Sequence, residues 1–233
     1  MIDDQEPAFE DERRSRILIP DTSPLSLLAM VGSDALDWLF VPNADVWIPD
    51  MVKAQATRVP DPGDDQRIEH RATLTHWFQR NANRIHIVET HEGVEYSKAM
   101  QVWELAGSKP ELKPSWKGRG EKSVLQVLDV VETVLEDGEA AVVLVDDNKA
   151  RIAIQLENEF DIDLMGTESF ITWMHEKFKV PNAENAWAAI KIAAGGNAPV
   201  GAENDPIFCE NEQSSLHVLA SNLMSRSENT ECF

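Results

Sequence analysis

The segment AAVVLV at residues 140–145, followed directly by Asp146 and Asp147, is the clearest fold signal in this chain. Six consecutive apolar residues, three of them valines, are typical of a strand that a parallel sheet buries on both faces. The two aspartates end the apolar run, and NKARIAIQLENEF at 148–160 continues as a helix. A buried strand that passes directly into a helix is the basic unit of an α/β sheet.

The same alternation extends to both sides of this segment. Further strands are predicted at 16–20, 44–49, 84–90 and 161–166, and helices at about 33–40, 50–58, 67–81, 95–106, 120–136, 167–178 and 184–194. Another helix follows the first strand, with Ser23 as its cap and Pro24 at its first position. Asp50 is the expected cap of the helix at 50–58. The pattern predicts an α/β fold, a three-layer α/β/α sandwich with a mainly parallel sheet.

The 233 residues are expected to form one such domain with flexible ends. Residues 1–15 are predicted to be an acidic flexible tail, the domain spans 16–178, and residues 179–233 hold a short helix and a polar C-terminal tail. The turn-rich VPDPGDDQ at 59–66 marks the start of an inserted segment that runs to about 119. Because no apolar run is long enough to cross a membrane and the N-terminus lacks a secretory signal, we expect a cytoplasmic protein.

The formal net charge of −20 argues against a general binder of nucleic acids or acidic membranes. The charge is nevertheless uneven, because residues 51–122 hold 12 Lys and Arg against 10 Asp and Glu. Lys113, Lys117 and Arg119 lie there in a Pro/Gly loop that leads to Glu121, and Trp116 in the same loop could stack on a base. This loop is the candidate substrate-binding element for a polyanion.

Acidic side chains follow several of the predicted strands. Asp21 follows the first strand, Asp146 and Asp147 follow the apolar strand, and Thr167 follows the last one. Ligands of parallel sheets bind outside the carboxyl ends of the strands, so these residues are expected at one edge. Carboxylates gathered without matching cations repel each other unless they protonate or hold a metal. The expected cofactor is therefore Mg²⁺ or Mn²⁺, which take oxygen ligands.

Three stretches carry a resemblance to a known family: Asp-Thr-Ser-Pro-Leu at 21–25, Gly-Glu-Lys-Ser at 120–123, and VVLVDDNKAR at 142–151. In their order and spacing they resemble the PIN-domain nucleases, most closely the bacterial and archaeal branch that includes the toxin ribonucleases of toxin–antitoxin pairs. The resemblance covers about 16–178. It implies a Mg²⁺- or Mn²⁺-dependent endoribonuclease with RNA as its substrate. It also implies an antitoxin protein and a second copy of the chain as candidate partners.

The resemblance assigns roles to single residues. Asp21, Glu121, Asp146 and Asp147 are implied as catalytic metal ligands, and Thr167 is implied to orient a ligand or a water. The pattern departs from the family at the second acidic position, where this chain has Gln55. The nearest carboxylate is Asp50, about a turn and a half earlier in the same predicted helix.

An ordinary structural role is also open for each of these acids. Asp21 could be a turn residue, the Asp146–Asp147 pair a helix cap, and Glu121 an ordinary residue of a first helical turn. A non-catalytic PIN-like module that binds RNA or protein is an alternative function, favoured by Gln55 and by the inserted segment. A haloacid-dehalogenase-type phosphatase is a further alternative, although such an enzyme needs a second Asp where this chain has Ser23.

Overall fold

The computed structural model describes residues 14–59, 68–157 and 162–193. Their five strands form one sheet in the order β3-β2-β1-β4-β5, and every neighbouring pair is parallel. The strands are β1 Arg14–Pro20, β2 Asp45–Pro49, β3 Ile85–Val88, β4 Glu139–Leu144 and β5 Ile162–Met165. The predicted parallel sheet is confirmed. The predicted tails fall almost entirely outside the described ranges.

Helices cover both faces of this sheet, which confirms the three-layer α/β/α sandwich. They are α1 Thr22–Val31, α2 Ser33–Leu36, α3 Asp50–Thr57, α4 Ile68–Arg80, α5 His91–Leu105, α6 Arg119–Glu132, α7 Asn148–Glu157, α8 Thr167–Glu176 and α9 Ala183–Ala193. The helices α8 and α9 pack against each other and on α1, whereas α5 and α7 pack on α6. No helix in the described part of the chain has the length and apolar character that a membrane crossing requires.

The centre of the core lies between β1 and β4. Leu18 is paired in register with Val142 and Ile19 with Val143, and all four side chains are fully buried. This burial on both faces is what the continuous apolar run predicts. Beyond the strands, the backbone N–H of Asp21 donates to the carbonyl oxygen of Leu144 at 2.9 Å. The carboxyl ends of β1 and β4 are therefore fixed side by side.

Two predicted helix caps were wrong by one or two residues. The helix α1 begins at Thr22, and Asp21 rather than Ser23 is its N-cap, because the carbonyl oxygen of Asp21 already accepts from Leu25 N at 3.3 Å. The helix α3 has Pro49 as its N-cap, which places Asp50 inside the first turn. The extended backbone of Pro49 (ψ 140°) suits the residue before a helix.

Two other elements also differ from their predictions. The predicted helix at 33–40 is the short α2 followed by a 3₁₀ turn at Asp37–Phe40. The helix α5 begins at His91 instead of 95, because Thr90 caps it by accepting a hydrogen bond from Gly93 N at 3.1 Å. The predicted strand at 84–90 consequently ends at Val88. The described part of the predicted insertion at 59–119 contains α4, α5 and the edge strand β3, which is hydrogen-bonded to β2.

Candidate functional site

Four acidic side chains lie around the carboxyl ends of β1 and β4. Asp21 directly follows β1, and Asp146 and Asp147 follow Val145 just beyond β4. Glu121 reaches the same region from the first turn of α6. The negative charges of Glu121, Asp146 and Asp147 all act on the carboxyl of Asp21. The structure thus brings together the four acids that the sequence singled out, and we call this group the acidic edge.

Asp21 shows the electrostatic consequence of this grouping most clearly. Burial raises the pKa of its carboxyl from the ordinary 3.8 to about 6. The backbone N–H of Thr22 lowers this pKa, while the charges of Glu121, Asp146 and Asp147 raise it further. A buried carboxyl among other carboxylates gains from any cation that neutralises the group.

Asp146 is held in place by the start of α8. Its Oδ1 accepts from the backbone N of Thr167 at 2.7 Å, and its Oδ2 accepts from the Thr167 hydroxyl, also at 2.7 Å. The side chain of Thr167 is fully buried. Since each carboxylate oxygen has two lone pairs, these two bonds alone do not saturate the Asp146 carboxylate. Thr167 therefore orients this carboxylate.

Asp147 and Glu121 are the exposed members of the acidic edge. Asp147 caps α7, because its Oδ1 accepts from Lys149 N at 2.8 Å and from Ala150 N at 3.0 Å. Asp147 thus has the capping role that the sequence allowed, and the cap uses one of its two carboxylate oxygens. Because both side chains reach solvent, they are able to turn towards an ion. Helix N-termini also favour nearby negative charge, which stabilises both carboxylates here.

Gln55 adjoins the acidic edge, because it contacts Thr22 and Gly120, the chain neighbours of Asp21 and Glu121. Its Oε1 accepts from the hydroxyl of Thr22 at 3.0 Å, and its Nε2 donates to the carbonyl oxygen of Trp116 at 3.0 Å. A Cβ atom on Gly120 would lie 2.5 Å from the same Oε1. The neutral amide is therefore packed between the starts of α1 and α6.

Asp50 does not replace the missing acid. Its Oδ1 accepts from the Thr90 hydroxyl at 2.6 Å and from Met51 N at 2.8 Å, and its Oδ2 accepts from Thr90 N at 3.3 Å. Its carboxylate also fills the space beside Gly93, where a Cβ would collide with it. Asp50 thus joins the starts of α3 and α5, which is a structural role.

The basic residues predicted to bind substrate divide into two kinds. Lys113 and Lys117 are exposed in the segment 113–118, which we call the Trp116 loop. Arg119 is half-buried: it pairs with Glu92 at 2.6 Å, donates to Ser115 O at 2.8 Å, and lies 5.3 Å from the Tyr96 ring. The two lysines remain candidates for phosphate contacts, whereas Arg119 anchors the loop.

Sequence reasoning missed two polar contacts and one cation at this site. Thr22 bonds Gln55, the Trp116 carbonyl bonds the same amide, and the guanidinium of Arg58 lies 4.4 Å from the centre of the Trp116 ring. The position of Thr22 directly after Asp21 was the one available signal. Nothing in the sequence relates Gln55 or Arg58 to a loop about sixty residues away.

The acidic edge suits a hard divalent cation, because its ligands are carboxylate oxygens and Asp21 is repelled by the three other negative charges. Within residues 14–59, 68–157 and 162–193, no group of three or more His, Cys, Asp or Glu side chains is arranged to hold a metal ion as it stands. Binding at the acidic edge would therefore need Glu121 and Asp147 to turn inward.

Comparison of the chain with protein-family models, with curated proteins and with solved structures gave no match. Function is therefore inferred from the chemistry of the site itself.

Proposed function

We propose that the chain is a metal-dependent endoribonuclease that hydrolyses RNA phosphodiester bonds at the acidic edge. The observation that carries the proposal is the placement of Asp21, Glu121, Asp146 and Asp147 at one edge of a parallel sheet, where burial and the other three charges raise the pKa of Asp21. This concentration of negative charge favours a divalent cation over a neutral ligand. The resemblance of the three motifs to PIN-domain nucleases supports the same chemistry.

The residues of the acidic edge would share the work of such a site. When bound, Mg²⁺ or Mn²⁺ would polarise the scissile phosphate, lower the pKa of a water and stabilise the leaving oxygen. Asp21, Glu121 and Asp146 would supply oxygen ligands, and Asp147 would use the oxygen that does not cap α7. Thr167 would keep the Asp146 carboxylate in its orientation.

The substrate class follows from the neighbourhood of the acidic edge. Lys113 and Lys117 are exposed on the Trp116 loop, and Gln55 ties this loop to Thr22 beside Asp21. A local basic segment can guide a polyanion to a carboxylate site even when the net charge is strongly negative. An antitoxin partner and homodimer formation are further expectations from the resemblance, and a cytoplasmic location is expected from the sequence alone.

Gln55 favours a second candidate function, a non-catalytic module that binds RNA or protein. A neutral amide occupies the position where the resembling family has an acid, and this amide is hydrogen-bonded on both sides. A site with one ligand fewer would hold Mg²⁺ more weakly. In this case RNA would bind near the Trp116 loop without being cut.

A cleavage assay separates the two candidates. The full chain is incubated with labelled single-stranded RNA under Mg²⁺, under Mn²⁺, and after chelation. We expect cleavage that chelation stops and Mn²⁺ restores. The double variant Asp146→Asn with Asp147→Asn should no longer cleave the RNA, and its circular dichroism spectrum should stay unchanged.

Two other outcomes of the cleavage assay would contradict the proposal. Full cleavage by the double variant would refute the assignment of these two residues. RNA binding without any cleavage under Mn²⁺ would instead support the non-catalytic module.

A further inference from the structure

Gln55 connects the acidic edge with the Trp116 loop. Its amide oxygen accepts from Thr22, the neighbour of Asp21, and its amide nitrogen donates to the Trp116 carbonyl, each at 3.0 Å. Both polar ends of one partly buried side chain are thus used. They join the start of α1 to the loop that precedes α6, through a residue of α3.

The contact with Trp116 requires an amide at position 55. A backbone carbonyl can only accept hydrogen bonds, so the atom that faces it must be a donor. A glutamate in the same conformation would place a carboxylate oxygen against the carbonyl oxygen of Trp116. Thr22 tolerates either group, because its hydroxyl can donate to an amide oxygen or to a carboxylate. The geometry therefore selects glutamine over glutamate at position 55.

The neighbours of Gln55 hold the same loop from other sides. Arg58, three residues further along at the end of α3, places its guanidinium 4.4 Å from the centre of the Trp116 ring. Arg119 donates to Ser115 O and pairs with Glu92 of α5. Both α3 and α5 thus fasten the Trp116 loop, and the bond from Gln55 is the one that ends beside Asp21.

We propose that Gln55 is a positioning residue that holds the Trp116 loop beside the acidic edge. Its amide supports the loop whose lysines, Lys113 and Lys117, would contact the phosphates of an entering strand. The contact with phosphates rests on the proposed function, whereas the support of the loop does not.

Amide hydrogen exchange of residues 113–118, measured by mass spectrometry without RNA or metal, tests the loop directly. In Gln55→Glu we expect exchange in this segment to rise about tenfold, which corresponds to the loss of about one hydrogen bond. The matched control is Gln79→Glu, which adds the same charge on the exposed side of α4. Exchange in the loop should stay unchanged in this control although the added charge is the same.

A neutral variant guards against effects of folding and charge. Gln55→Met keeps the length of the side chain, loses both hydrogen bonds and adds no charge, and it should raise exchange in residues 113–118 as well. Exchange in β4, recorded in the same experiment, reports whether the core is intact. Unchanged exchange of the loop in folded Gln55→Met or Gln55→Glu would overturn the proposal.

The substrate part has its own readout. Affinity for a short labelled single-stranded oligouridylate is measured in the presence of a chelator, so that no cleavage occurs. We expect Gln55→Met to bind the oligonucleotide more weakly than the unsubstituted chain does. If Gln55→Met loosens the loop and binds equally well, the loop does not contact the strand. The exchange result stands even if the chain proves not to cut RNA.

Discussion

The ionised form of Asp21 is disfavoured by burial and by the other charges of the acidic edge. Its pKa is about 6 in the folded protein, against an ordinary value of 3.8. Between these values the folded state binds the proton more tightly than the unfolded chain does. Above about pH 6 the Asp21 carboxyl is ionised, and its charge lowers the free energy of unfolding by the full amount. Below about pH 4 the carboxyl is protonated in the folded and in the unfolded chain, and this destabilisation is absent.

Removing this charge should stabilise the protein in a pH-dependent manner. We expect Asp21→Asn to raise the free energy of unfolding by up to about 3 kcal/mol near neutral pH, and by little at about pH 4. Urea unfolding at the two pH values measures the difference. The control is Asp129→Asn on the exposed face of α6, which should show no such pH-dependent gain. An equal gain of Asp21→Asn at both pH values would contradict the explanation.

Thr167 offers a second test at the scale of one residue. Thr167→Val removes the hydroxyl that donates to Asp146 Oδ2 but keeps the shape of the side chain and the backbone bond to Oδ1. We expect a loss of about 1–3 kcal/mol in the free energy of unfolding, because an acceptor loses this donor at a buried position.

The same substitution should weaken Mn²⁺ binding, because Thr167 would hold Asp146 by one bond instead of two. Thr167→Ser keeps the hydroxyl and should retain most of the affinity. Titration with Mn²⁺ compares the three proteins. Equal affinities in all of them would show that the orientation of Asp146 does not matter for the ion.

The starts of α3 and α5 are joined by Asp50, and this joint can be tested with Gly93. We expect Gly93→Ala to cost about 2–4 kcal/mol of stability, because the new Cβ would collide with the Asp50 carboxylate. The nearest atoms all belong to Asp50. Thermal or urea unfolding of the variant measures the cost.

A double variant provides the control. In an Asp50→Ala background the collision partner is gone, so adding Gly93→Ala should cost little. Asp50→Ala should also leave Mn²⁺ affinity unchanged, since Asp50 is engaged with Thr90 and not with the acidic edge. A clear fall in Mn²⁺ affinity would mean that Asp50 contributes to the cation site after all.

Patterns within single elements account for what the sequence could predict. The apolar run at 140–145 indicated a buried parallel strand, and the sheet rule then placed Asp21, Asp146 and Asp147 at one edge. Gln55 was different, because its partners Thr22 and Trp116 lie 33 and 61 residues away along the chain. No periodicity or spacing encodes such contacts. The bonds of Asp50 to Thr90 could not be predicted either, because proximity in sequence says nothing about the direction of a side chain.

For the whole molecule, the main electrostatic question is how a chain of net charge −20 could bind RNA. We expect Lys113→Ala with Lys117→Ala to weaken binding of single-stranded RNA and to reduce its salt dependence. The loss of two phosphate contacts would lower the slope of log affinity against log salt by about 1.4. Arg119 is left intact because its ion pair with Glu92 supports the loop.

The matched control removes the same charge elsewhere. Lys177→Ala with Lys191→Ala affects the end of α8 and the exposed side of α9. These positions are remote from the Trp116 loop in the chain, and the salt slope should not change. An equal reduction in both double variants would indicate that only the net charge matters and that the loop has no special part.

The most direct test of the central claim is whether the acidic edge binds a divalent cation. Mn²⁺ binding is measured by electron paramagnetic resonance near neutral pH, for the full chain and for Asp146→Asn with Asp147→Asn. We predict that the parent protein binds Mn²⁺ and that the folded double variant does not. Equal Mn²⁺ binding by both proteins, or no binding by the parent, would contradict the account.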